Sequence, residues 1–283
     1  MQLVEKHTVK EVTAHIRIQE YGPLVFNTLP SRSSVKKAIK KGLIFINGKQ
    51  ADSADWIEEG QLLEVFQFKP TTNHFKLNLD VLFEDDYVAV INKPAGYPTS
   101  GNFFKTIARA LPYNLKISTK NDALLTPQPI HRLDNPTSGV LVVAKTKSSQ
   151  INLNKQLELK GIQKTYIAVV HNTPDNNMLF NDNIDGKESE SKLEIIKTFK
   201  VKDDIYSLVE LFPKTGRTHQ LRIHTSNAGY PIVGDQLYGI SSEKNKKLLL
   251  HAKSIQFKHP VTGNEVFTTS ELPKRFEKLL NLS

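Results

Sequence analysis

The chain of 283 residues is 39% hydrophobic and 24% charged, values that predict about two globular domains and exclude a disordered or collagen-like chain. It contains no cysteine, which excludes disulfides, thiolate metal sites and thiol nucleophiles. A formal net charge of +9 favours an anionic partner, and because no apolar run approaches the ~20 residues that span a bilayer, we expect a cytoplasmic protein with no membrane partner.

The first patterned segment is residues 31–49, which carry several lysines and no acidic residue. Ser31 or Ser33 can cap a short helix that ends before Gly42, and the apolar residues that follow predict a strand leading into an Asn-Gly turn. Such a basic run is typical either of a solvated helix face or of a phosphate-binding patch on a nucleic-acid module. The candidate RNA-binding residues are Arg32, Lys36, Lys37, Lys40 and Lys41.

This segment resembles the α-L RNA-binding motif over about residues 29–66. The matching features are Ser31-Arg32-Ser33, the basic helix, Gly42, the apolar strand, Asn47-Gly48-Lys49 and Glu59-Gly60. The resemblance implies a small α/β RNA-binding domain, which we place over residues 1–70.

A polar, proline-containing stretch at residues 69–73 predicts the domain boundary, followed by a linker over residues 71–79 and a second domain over residues 80–283. In the second domain strand-like runs outnumber helices and do not alternate with them, which favours an α+β fold around a mostly antiparallel, mixed sheet. The clearest helical pattern covers residues 148–160. The predicted strands are residues 87–92, 139–145, 165–170, 192–199, 205–211 and 254–257.

Asp134 lies in a polar stretch just ahead of a predicted apolar strand. Because asparagine, proline and glycine surround it, one interpretation is that Asp134 only shapes a turn. The other is that Asp134 is a nucleophile or a base, since an aspartate is already ionised at neutral pH and Arg132 is two residues away. The residue pattern leaves both interpretations open.

A second polar stretch, residues 215–235, predicts a helix that begins after Thr215 or Thr218 and ends near Ala228. Arg217 would then lie at the helix N-terminus, where a cation opposes the helix dipole by about 0.3 to 1 kcal/mol. We therefore expect Arg217 to have an anionic partner, either Asp134, an RNA phosphate or an ordinary structural carboxylate.

Several motifs, in order over about the last 200 residues, resemble the RluA-type pseudouridine synthase family. They are Asn92-Lys93-Pro94-Ala95-Gly96, HRLDNPTSG at 131–139, Lys164-Thr165-Tyr166, TGRTHQLRIH at 215–224, GYPIVGDQLYG at 229–239 and Leu250-His251-Ala252. The resemblance implies a catalytic domain of the pseudouridine synthase type and an isomerase that converts uridines of ribosomal or transfer RNA to pseudouridine without a cofactor.

The resemblance also implies roles for four residues. Asp134 would attack the target uridine, and Arg132 would replace the extruded nucleotide in the RNA stack. Tyr166 would pack against the flipped uracil, although a tyrosine in such a pattern is more often a core strand residue. Arg217 would pair with Asp134, and Arg222 receives no role. These residue types suit a reaction that takes a base out of its stack.

Two other functions fit the residues. A non-catalytic RNA-binding or ribosome-assembly protein with this fold would bind RNA in a salt-sensitive way without chemistry. A hydrolase using Asp134 with His131 or His219 would release a free base or break the RNA chain. His219 and His224 are about 140° apart around a helix, so we predict no metal site. We also expect a monomer without an obligate protein partner.

Overall fold

The computed structural model describes residues 1–12, 15–68, 74–241 and 247–280. The chain divides into two compact units, Met1–Asn73 and His74–Ser283. The predicted boundary at residues 69–73 and the first part of the predicted linker, residues 71–73, lie outside the described residues. No helix in the described ranges is long and apolar enough to cross a membrane.

The first unit places two helices against a small antiparallel sheet with strand order β1-β4-β2-β3 among its described residues. Its strands are β1 (Gln2–Thr8), β2 (Ile44–Ile46), β3 (Lys49–Gln50) and β4 (Leu62–Gln67), and its helices are α1 (Ile18–Val25) and α2 (Arg32–Lys40). Strand β1 was not predicted. Its inward residues, Glu5 and His7, are polar and bind Thr28 and Tyr21, so the strand lacks the apolar alternation that identifies a half-buried strand.

Helix α2 begins where the sequence predicts. Ser31 caps it, and the Ser31 and Ser34 side chains each bond the other residue's backbone N–H in a capping box. Gly42 follows the helix with a φ of +66°, a left-handed conformation that favours glycine. The apolar side of α2 is buried in the core of this unit, which leaves its basic side exposed.

The second unit is built around one large sheet with strand order β10-β11-β12-β9-β13-β8-β6-β5, in which β7 pairs with β8 and β14 with β13. Its strands are β5 (Asp80–Glu84), β6 (Val88–Lys93), β7 (Ala123–Pro129), β8 (Ser138–Thr146), β9 (Gln163–His171), β10 (Met178–Phe180), β11 (Ser191–Val201), β12 (Asp204–Pro213), β13 (Leu250–Lys258) and β14 (Glu265–Thr269). Its helices are α3 (Ile107–Asn114), α4 (Lys147–Glu158), α5 (Gln220–Asn227) and α6 (Lys274–Leu280).

The pairings between these strands are antiparallel except for that of β13 with β8, which is parallel. The predicted α+β fold with a mostly antiparallel mixed sheet is therefore confirmed. Each of the six predicted strands is present, and the helix predicted at residues 148–160 is α4. The strands and helices that were not predicted, such as β10 and α6, are mostly short, and a short segment carries few periods of its hydrophobic pattern.

Strand β8 is buried along its whole length and begins at the parallel pairing with β13. Gly139 pairs there with Ala252 at a φ of +118°, and a Cβ at Gly139 would lie 2.1 Å from the Ala252 carbonyl oxygen. Only glycine fits this close approach of two backbones. The start of β8 is thereby fixed, and the loop that carries Asp134 leads directly into it.

Candidate active site

Buried side chains hold the loop between β7 and β8 in place. Lys93 is fully buried, and its Nζ donates to three carbonyl oxygens, those of Pro94, Asn135 and Thr137, at 3.0, 3.3 and 2.7 Å. Burial lowers the pKa of Lys93 to about 7, although Asp134 nearby acts in the opposite direction. The buried Thr99 hydroxyl donates to the Leu133 carbonyl and accepts from the Leu133 N–H. Asp134 is therefore presented by a loop whose backbone is fixed on both sides of it.

Arg222 is the arginine that pairs with Asp134. It lies in the first turn of α5, and its Nη1 donates to Asp134 Oδ2 at 3.2 Å. The same guanidinium binds Asp235 with two bonds of 2.7 Å, from Nε to Oδ2 and from Nη2 to Oδ1. Arg222 is thus held rigidly by Asp235 and directs its remaining edge at Asp134, a geometry that a lysine cannot reproduce.

Asp235, which holds Arg222 in place, is itself held by backbone hydrogen bonds. Besides Arg222 it accepts the backbone N–H groups of Leu237 and Tyr238 at 3.0 and 3.1 Å. Burial by itself would raise the pKa of Asp235, but these hydrogen bonds and the charge of Arg222 lower it below its ordinary value. Asp235 therefore remains an anion although only 1% of its side chain is exposed.

A cavity of about 520 Å³ opens over Asp134. All four site residues predicted in this domain line it, namely Asp134, Arg132, Tyr166 and Arg217. The side chain of Asp134 is 18% exposed, Arg132 is exposed, and Tyr166 on β9 is largely buried. Burial, helped by the negative charge of Asp134, raises the pKa of Tyr166. Tyr166 therefore offers an aromatic surface and a neutral hydroxyl.

The structure corrects the expected partner of Arg217. Helix α5 begins at Gln220, later than predicted, because His219 has a left-handed backbone with a φ of +55°. Arg217 consequently lies in the loop ahead of the helix, where its Nε donates to the Glu188 carbonyl at 2.9 Å. The predicted pairing of Arg217 with Asp134 is wrong in this structure, and Arg222 makes that contact instead.

His219 is the second titratable side chain close to Asp134. Its Nε2 lies 3.9 Å from Asp134 Oδ1, and its Nδ1 is hydrogen-bonded to the Tyr238 hydroxyl at 3.1 Å. The Tyr238 ring also lies 5.2 Å from the Arg222 guanidinium carbon. His219 and Arg222 therefore flank Asp134 and share Tyr238 as a neighbour.

The other two histidines considered from the sequence, His131 and His224, are hydrogen-bonded to groups other than Asp134. His131 Nε2 accepts the Val142 N–H at 3.2 Å, and burial lowers the pKa of His131 to about 3. His224 is fully buried and bonds Ser189 Oγ at 2.8 Å. Among the described residues no group of three or more histidine and carboxylate side chains is placed to hold a metal ion.

Sequence reasoning overlooked Arg222, Asp235 and Lys93 as parts of the site. All three belong to the motifs that carry the family resemblance, so the motifs contained the available signal. Their roles depend on tertiary contacts between β6, the loop before β8 and α5, which no local pattern specifies.

Comparison with known proteins gives the class of enzyme. A model of the RNA pseudouridylate synthase family matches residues 87–227, a range that includes Asp134, Tyr166 and Arg222. The domain formed by the large sheet is therefore a pseudouridine synthase domain, and its class is that of isomerases that act on RNA.

Curated relatives extend the match over most of the chain. Ribosomal large subunit pseudouridine synthase C of Buchnera aphidicola subsp. Acyrthosiphon pisum is 31% identical, with 94% of this chain and 93% of the relative covered. Ribosomal large subunit pseudouridine synthase D of Xanthomonas campestris is 30% identical, with 89% of this chain and 84% of the relative covered. The chain belongs to the RluA-type family of RNA pseudouridine synthases.

Solved structures agree on the fold. Human RNA pseudouridylate synthase domain containing 4 superimposes with a TM-score of 0.60 at 24% identity, covering 72% of this chain and 92% of that structure. Human RNA pseudouridylate synthase domain containing 1 gives a TM-score of 0.56 at 23% identity, covering 76% and 96%.

Proposed function

We propose that this enzyme converts specific uridines of ribosomal RNA to pseudouridine, with Asp134 as its nucleophile. The observation that carries the proposal is the Asp134 carboxylate, which Arg222 holds at an open cavity large enough for an extruded nucleotide base. The choice of ribosomal over transfer RNA rests on the relatives, two of which are named as synthases of the large ribosomal subunit. We expect the enzyme to act as a monomer in the cytoplasm.

The reaction requires the bond between ribose C1′ and N1 of the base to break, the base to turn, and a bond from C1′ to C5 to form. Asp134 is suited to the nucleophilic role because a carboxylate needs no separate base to activate it. Arg222 fixes the direction of the carboxylate, which reduces the entropy lost when the substrate is engaged.

The remaining cavity residues are suited to hold an extruded nucleotide. Extrusion costs a few kcal/mol of lost stacking and pairing, which planar side chains can replace. Arg132 is exposed and would occupy the gap left in the RNA, while Tyr166 lines the cavity and would pack against the uracil. Arg217, exposed in the loop ahead of α5, would contact an RNA phosphate.

The proposed function is tested by tritium release from RNA transcripts that carry uridine labelled at C5. We expect the purified protein to release tritium from a large-subunit ribosomal RNA transcript and not from transfer RNA. Release from transfer RNA alone would contradict the ribosomal assignment. Tight binding to each transcript without any release would favour a non-catalytic RNA-binding protein.

We also propose that the exposed side of α2 binds RNA through Arg32, Lys36, Lys37, Lys40 and Lys41. Four of these five side chains border a shallow depression of about 340 Å³ together with Ser33. The Ser31 capping box fixes the start of the helix and therefore the spacing of the charges. Arg32 is also paired with Glu20 at 2.7 Å, which leaves the lysines as the main cations of this side. A cluster of exposed cations on one side of a helix suits contact with RNA phosphates.

Replacing both Lys37 and Lys40 by alanine is expected to weaken RNA binding, with a greater loss at low salt. If each lysine neutralises one phosphate, the slope of log affinity against log salt should become shallower by about 1.4 to 1.8. Fluorescence anisotropy with a labelled transcript at several salt concentrations measures this slope.

The matched control replaces Lys200 and Lys258 by alanine, which removes the same charge from two exposed positions on strands of the second unit. An equal change of slope in the control pair would show that only net charge matters and would contradict a specific contact by α2.

A further inference from the structure

One proton transfer of the reaction has not yet been assigned to any residue. When C5 of the detached uracil bonds to C1′, C5 carries both the ribose and its original hydrogen, and the ring holds a double bond between N1 and C6. In the product the hydrogen has left C5 and N1 has gained one. A group in the cavity must therefore accept the C5 proton.

His219 is placed to do this. His219 lines the cavity, and its Nε2 is 3.9 Å from Asp134 Oδ1, so it lies beside the position where the reacting ribose must sit. The side chain is 26% exposed, which leaves it accessible to substrate. An imidazole is the side chain that most often serves as a general base near neutral pH.

The orientation of His219 is set by two contacts of its own. The Tyr238 hydroxyl binds Nδ1 at 3.1 Å, and the two rings meet edge to face with centroids 5.7 Å apart. The left-handed backbone of His219 at the start of α5 is uncommon for a residue with a side chain. Because of this conformation α5 begins only after His219, and His219 stays in the loop that lines the cavity.

The other groups that line the cavity are less suited. Asp134 is already bound to Arg222, and the Nε2 of His131 is occupied by the Val142 N–H. Tyr166 gives a neutral hydroxyl because burial raises its pKa. Glu158, Lys160, Lys164 and Lys214 also line the cavity. The experiment below includes Lys164, because burial lowers the pKa of its amine and so favours the neutral form that a base requires.

We propose that His219 Nε2 accepts the C5 proton after the bond between C1′ and C5 has formed. The electrons of the C5–H bond form the C5–C6 double bond, the π electrons between C6 and N1 move to N1, and N1 takes a proton from water. The imidazolium that results lies close to the Asp134 carboxylate, and this opposite charge stabilises it. The proposal rests on the proposed function, because it requires uridine bound over Asp134.

The test uses single-turnover isomerisation of transcripts whose target uridine carries either protium or deuterium at C5. His219→Asn is the main variant, since asparagine tolerates the left-handed backbone of this position. We expect it to react about 100-fold more slowly than the wild type, within the range attributed to general bases. Because deprotonation then limits the rate, the ratio of the protium to the deuterium rate should rise above that of the wild type.

Tyr238→Phe provides a second variant that does not depend on His219→Asn folding. It keeps the ring beside Arg222 and removes only the hydroxyl that holds Nδ1. We expect a smaller loss of rate and again a raised isotope ratio. Lys164→Met should leave the isotope ratio at the wild-type value.

Each alternative result has a defined meaning. A slow His219→Asn variant with the wild-type isotope ratio would show that His219 acts in another step and would overturn the proposal, as would an unchanged rate. An unchanged isotope ratio in a folded Tyr238→Phe, or a raised ratio in Lys164→Met instead, would also overturn it. If the wild type itself isomerises neither transcript, the proposed function fails and this proposal fails with it.

Discussion

Replacement of Asp134 by asparagine is expected to abolish tritium release from C5-labelled ribosomal RNA while RNA affinity stays within a few-fold. Asparagine occupies nearly the same volume and can still accept a hydrogen bond from Arg222 Nη1, so the loop before β8 should keep its shape. A neutral amide is a poor nucleophile, and removing a catalytic nucleophile typically costs about 10⁴-fold or more in turnover. Tritium release and anisotropy on the same transcript give the two quantities.

Asp203→Asn is the matched control for this prediction. It makes the same chemical change at an exposed position of the turn between β11 and β12. We expect wild-type turnover and wild-type affinity. Asp134→Asn with turnover like that of the control would remove Asp134 from the mechanism, and a parallel loss of melting temperature would indicate a structural role instead.

The fold was predictable where hydrophobic pattern and turn chemistry agree. Strand β8 is an apolar run bounded by turn residues, and α2 has a serine cap at one end and a glycine at the other. Strand β1 escaped prediction because its inward residues, Glu5 and His7, are polar and its apolar residues, such as Leu3, are exposed. The contacts that make β1 a strand come from β4 and from the segment after α1, which are distant in sequence.

The sequence predicted four residues that line the cavity, but it predicted neither the contacts between them nor the parts played by Arg222, Asp235 and Lys93. The sequence placed Arg217 at the start of a helix and opposite Asp134, whereas α5 begins at Gln220 and brings Arg222 to Asp134. Two residues five apart in one helix point about 140° away from each other, so Arg217 and Arg222 could not both face the carboxylate from α5. Because α5 starts at Gln220, Arg222 lies on the helix and Arg217 does not. That start depends on the backbone of His219 and on the Gln220 side chain, which binds Thr215 and the Arg217 N–H.

Gln220 also shows why local rules place the helix start wrongly. Threonine is a good capping residue, and two threonines precede Arg217 and His219. In the structure the Thr215 hydroxyl instead binds the Gln220 side chain and the Glu190 N–H, which belongs to the segment before β11. A cap residue that is used in a tertiary contact is not available to begin a helix, and sequence alone does not reveal that contact.

We expect Arg222→Ala to lose both stability and turnover, whereas Arg217→Ala should keep its stability. Removing Arg222 leaves the Asp235 carboxylate buried without its countercharge, and breaking a buried ion pair in this way typically costs about 3 to 5 kcal/mol. It also releases Asp134 from its hydrogen bond, so we expect turnover to fall by about 100-fold or more, comparable to the loss of one preorganised charge contact. Urea unfolding and tritium release measure these two losses.

Arg217→Ala removes a bond to a carbonyl oxygen in an exposed loop, so its free energy of unfolding should change by no more than about 0.5 kcal/mol. Arg222→Lys keeps a positive charge but lacks the fork that binds Asp235 twice, so it should fold better than Arg222→Ala and still turn over slowly. A destabilised Arg217→Ala beside a stable and active Arg222→Ala would contradict the pairing in the structure and would favour the one expected from the sequence. Because the lysine variant tests geometry at constant charge, recovery of full turnover in Arg222→Lys would show that Asp134 requires a nearby cation and not a fixed direction.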